Sequence, residues 1–60
     1  MQKFQPQRGV GQDRRDQMMD WLCRAKSENR SLSGLIGDVA DMTDQELENS
    51  VAFAERKLGL

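Results

Sequence analysis

The stretch MTDQELENSVAFAERKLGL, residues 42–60, decides the fold, because every local helix signal in it agrees. Thr43 and Glu46 make the S/T-x-x-E capping box, in which each side chain satisfies the other residue's free backbone N–H. Met42 before the cap and Leu47 at the fourth helical position have the spacing of a hydrophobic staple. Leu47, Val51, Ala54 and Leu58 follow at i, i+4, i+7 and i+11, one narrow apolar stripe. Arg56 and Lys57 fall in the last turn, where the macrodipole favours cations, and Gly59 is placed for a left-handed C-cap. A helix over about 44–58 is therefore expected, with its stripe turned to a core.

Working back from it, a short helix over about 33–41 is expected from Leu35, Ile36 and Val39, with Ser31 or Ser33 as its cap. Gly34 and Gly37 would each cost about 1 kcal/mol relative to alanine in that helix. Burial would have to compensate, and close packing on the preceding helix, near Trp21, is the expected reason for their small size. The polar run Ser27 to Ser31 reads as the turn before it.

A long helix over about 14–29 is expected ahead of that turn. Asp13 is a suitable N-cap and Asp16 sits in the first turn. At 100° per residue Met18, Leu22 and Ala25 fall within about 60° of one another, with Trp21 and Met19 on the two shoulders. Arg24, Lys26 and Arg30 are read as the basic carboxyl end. Residues 1–12, MQKFQPQRGVGQ, are rich in glutamine and broken by Pro6, Gly9 and Gly11. They are expected to form a flexible arm, with Phe4 able to clip onto a core edge. The domain organisation is thus an arm, 1–12, and a helical domain, 13–60. The fold class is all-α: two long helices and a short intervening one, with homodimerisation an open route to completing the core.

Size bounds what such a chain can do. Sixty residues make one domain, which buries only about 60% of the surface its unfolded chain exposes. Small scaffolds add disulfides, metals or self-association. Cys23 is the one cysteine and histidine is absent, so neither an internal disulfide nor a zinc site is expected. No stretch nears the roughly 18 apolar residues of a membrane span, and no leader is apparent, so a soluble cytoplasmic protein is expected.

The candidate chemistries thin out in turn. Without histidine or tyrosine, general acid–base work would fall to carboxylates or lysine, and the chain has few walls to enclose a pocket. An enzyme is not expected, nor a cofactor or small-molecule substrate. Cys23, at the rim of the first helix's stripe, is expected to be a semi-buried structural residue. Asp38, Asp41, Asp44, Glu46 and Glu48 lack the calcium-loop pattern and read as a solvated acidic ridge. A helix-turn-helix reading would put Asp44, Glu46 and Glu48 against DNA phosphates, which would repel them.

Two functions are left. The first is a small helical protein–protein interaction module: an adaptor, inhibitor or regulator of the size common in phage and mobile elements, binding another protein or itself. Phe53 points about 120° off the stripe of the last helix, beside Lys57; it is expected either to be covered by a third helix or the N-terminal arm, or to anchor a partner, since aromatics supply much interface energy. Trp21 and Met19 are the matching candidates on the first helix, since methionine-rich surfaces adapt to partners. The alternative is a nucleic-acid accessory protein using Lys3, Arg8, Arg14 and Arg15. Residues 1–30 carry a net +3 and residues 31–60 a net −4. The plainer reading of that asymmetry is attraction between the two halves on folding.

Overall fold

The computed structural model describes residues 1–6 and 13–60. Helix α1 spans Arg14–Glu28, α2 Arg30–Leu35 and α3 Asp44–Leu58, with a single 3-10 turn at Val39–Asp41 between the last two. Among the described residues there is no strand. The fold is a small all-α bundle in which α1 packs against α3, α2 and the 3-10 turn.

The two long helices follow their local signals. Asp13 caps α1 by accepting the Asp16 N–H at 2.9 Å. Thr43 Oγ1 accepts the Glu46 N–H at 3.2 Å, and Glu46 Oε1 accepts the Thr43 N–H at 2.9 Å. The Thr43 backbone N–H first, and the Thr43 side chain second, hold the Glu46 carboxyl below its ordinary pKa. At the other end Gly59 has φ +75°, and the N–H groups of Gly59 and Leu60 close onto the Arg56 and Glu55 carbonyls. This is the Schellman closure that a left-handed glycine permits.

The core is built from the expected stripes. Met18, Leu22 and Ala25 of α1 and Leu47, Val51 and Ala54 of α3 are buried with Leu32, Ile36 and Val39 from the middle segment. Leu22, Leu32 and Leu47 are fully enclosed, and each contributes roughly 1.5–3 kcal/mol of burial. Met19, Trp21, Met42, Phe53 and Leu58 are partly buried around this centre, as is Phe4. Phe4 therefore lies on the core edge, while the remainder of the expected arm, residues 7–12, is outside the described residues.

The middle segment departs from the expected helix at 33–41. Asn29 alone forms the break, at φ −134° and ψ 108°, ending α1 and capping α2 by accepting the Ser31 N–H at 3.0 Å. The new helix begins at once and stops at Ile36, whose backbone is extended. Asp38 then caps the separate 3-10 turn by accepting the Ala40 N–H. The apolar spacing of Leu32, Ile36 and Val39 serves a short helix, an extended link and a turn rather than one helix. Arg30 consequently starts α2 instead of finishing α1.

Two further expectations are corrected. A Cβ placed on Gly34 or Gly37 would meet nothing within 4 Å, so neither glycine serves a close helix contact. Cys23 is exposed rather than semi-buried. It lies about 130° from the centre of the Met18–Leu22–Ala25 stripe, too far round to be drawn under it.

A candidate docking groove between α2 and α3

Because α2 ends at Leu35, the side chains that follow meet the flank of α3. Leu35, Ile36, Gly37 and Met42 line a shallow groove of about 360 Å³ together with Asn49, Ser50 and Phe53 of α3. Ile36 is buried, whereas Leu35 is 60% exposed, the most exposed large apolar side chain among the described residues. Met42 is fixed in place by Ser50, whose hydroxyl donates to Met42 Sδ at 3.4 Å. Phe53 is half-buried against the core, and Lys57 Nζ lies 5.6 Å from its ring centroid. That cation–π contact keeps a positive charge beside Phe53, one of the residues lining the groove. The lining thus mixes apolar side chains, a thioether sulfur and the polar Asn49 and Ser50.

Of the residues lining this groove only Phe53 was a site candidate from the sequence; Leu35, the most exposed of the apolar ones, was not. Assigned to a helix over 33–41, it fell among the buried positions with Ile36 and Val39. The signal that points to the true bounds is Asn29, a favourable N-cap immediately after α1, which starts the helix three residues earlier and leaves Leu35 as its last residue.

The other candidate residues separate into different places. Phe53 and Lys57 come together, as described. Trp21 sits on another surface, with its ring edge-on to Phe4 at a centroid distance of 6.2 Å and its Nε1–H donating to the Gln2 carbonyl at 3.0 Å. Met19 is half-buried against the core. Among the basic residues, Lys3 is exposed and Arg8 lies outside the described residues. Arg14 Nε bonds Glu48 Oε1 at 3.1 Å, and Arg15 Nη1 bonds Asp44 Oδ1 at 3.0 Å. The basic start of α1 thus faces the acidic start of α3 within one chain. Each exposed pair is worth at most about 1 kcal/mol.

The acidic ridge is dispersed among separate tasks. Asp38 caps a turn, Glu46 completes the capping box, and Asp44 and Glu48 hold the two arginines. Among the described residues, no three cysteine or acidic side chains converge as metal ligands. No helix there is long and apolar enough to cross a membrane. No family model, curated protein or solved structure matches this chain.

Proposed function

We propose that this chain is a small non-enzymatic interaction module that binds another protein, or a second copy of itself, through the α2–α3 groove. The observation that carries the reading is Leu35, 60% exposed beside the partly buried Met42 and Phe53. A chain with a thin stability margin gains nothing within the monomer from such an exposed leucine, whereas docking would bury it. Lys57, anchored over Phe53, favours a partner with a carboxylate near its apolar anchor. A reducing, cytoplasmic setting suits the exposed Cys23 thiol. The nucleic-acid alternative is weaker, because Arg14 and Arg15 already face Glu48 and Asp44.

The test is capture of partners from the cells that make the protein, followed by mass spectrometry, comparing the wild type with Leu35→Asp. Leu35 is the better site for the substitution than Phe53, whose ring also supports the core. The variant should stay folded, within about 0.5 kcal/mol of the wild type, and lose a protein that the wild type retains. Identical captured sets would remove the groove from the account.

A further inference from the structure

A second surface, remote from the groove, already has an occupant. The N-terminal residues run along α1 and end against α3, and the contacts that seat them are specific. The Phe4 backbone N–H donates to Glu55 Oε2 at 3.0 Å. Two residues earlier, the Gln2 carbonyl accepts the Trp21 indole N–H at 3.0 Å. The Phe4 ring meets the Trp21 ring edge-on and lies 5.6 Å beneath the Arg14 guanidinium, whose Nε–H donates to Glu48 Oε1. A main-chain acceptor, a main-chain donor and an aromatic ring are each matched by a different side chain of the helical body. The fit elsewhere is loose: a cleft of about 650 Å³ opens between Met1–Gln5 and the α1 face carrying Gln17, Asp20, Trp21 and Arg24.

We infer that Arg14, Trp21 and Glu55 form a receptor for an extended peptide segment bearing an aromatic residue, and that residues 1–6 occupy it in cis. The occupant from another polypeptide is defined by the same chemistry. It presents an aromatic ring to Trp21 and Arg14, that residue's N–H to Glu55, and the carbonyl two residues before it to the indole. Two of the three contacts engage main-chain atoms, so extended backbone and one aromatic anchor suffice for recognition. The cis segment competes at an effective concentration on the order of 1 mM, typical of a short tether. The receptor is therefore closed to weak ligands and opens to a stronger segment or on release of the N-terminus.

The test uses the full chain carrying Phe4→Ala, which vacates the aromatic seat, and the amidated hexapeptide MQKFQP as probe. Trp21 is the one tryptophan, so its emission reports the site directly. The variant should bind the peptide saturably. The wild type should bind it at least about tenfold more weakly, because its own segment competes. The peptide with alanine for phenylalanine, or the variant with Glu55→Ala added, should lose about tenfold. No saturable response up to millimolar peptide from a Phe4→Ala chain of native helicity overturns the proposal, as does equal binding of the two peptides. Should Phe4→Ala unfold the chain, hydrogen exchange on the wild type decides. The Phe4 amide should exchange at least tenfold faster than those of Leu22 and Val51. Exchange of all three at one common rate overturns the proposal, because the segment then leaves only on global unfolding.

Discussion

Replacing Asn29 with alanine tests the corrected middle of the fold with a sign as well as a size. Asn29 supplies the side-chain oxygen that accepts the Ser31 N–H at 3.0 Å, and α2 is only six residues long. One capping contact is therefore a large share of what holds α2 in place. Loss of an N-cap costs typically about 1 kcal/mol, within a range of about 0.5–2. For a domain of this size 1 kcal/mol lowers Tm by about 4–8 °C. Ser33, in contrast, lies inside α2, where serine is a poorer helix former than alanine, so Ser33→Ala should be neutral or gain a few tenths of a kcal/mol. Thermal and urea unfolding followed by circular dichroism at 222 nm measures both. A helix starting at Ser33 reverses the pair: Ser33→Ala would lose about 1 kcal/mol and Asn29→Ala almost nothing. That reversed outcome would refute the placement of α2 at 30–35.

Three other predictions use the same assays. Gly34→Ala should stabilise by roughly 0.8–1 kcal/mol, since it is helical and a Cβ there meets nothing within 4 Å; a loss would mean that the site is tightly packed after all. Gly59→Ala should destabilise by roughly 1–2 kcal/mol, because the cost is the left-handed backbone at φ +75° and not lack of space. Glu46→Gln should flatten the acid limb of the stability curve. The Glu46 pKa is lowered on folding, so its contribution is complete above the unfolded value of about 4.3 and is lost as pH falls through the folded value. Glutamine still accepts the Thr43 N–H but does not titrate, so identical wild-type and variant slopes across that window, from the unfolded value down through the folded one, would contradict this assignment.

How much of the molecule the sequence disclosed depends on how local each signal is. Helix α3 was legible throughout, since its capping box, stripe and glycine closure are written within 17 residues of one another and need no distant partner. Helix α1 was legible for the same reason. The middle was not, because Leu35, Ile36 and Val39 have helical spacing while the chain uses them in three different conformations. Asn29 was hidden in a polar run whose other members do not break the helix. The opposite charges of the two halves foretold attraction in general, but not that Arg14 meets Glu48 and Arg15 meets Asp44. The Phe4–Glu55 contact spans 51 positions, and no local pattern announces it. Phe53 was singled out from the sequence as lying off the stripe, and it is half-buried against the core. Its companion Leu35 became visible only once α2 was seen to end there.

The most direct measurement of the central claim is methyl and amide chemical-shift mapping as the chain is titrated with the protein it captures, or is concentrated alone if it captures only itself. The account predicts shifts gathered on Leu35, Ile36, Met42 and Phe53. Shifts gathered on Lys3, Arg14 and Arg15, with the groove unmoved, would contradict it.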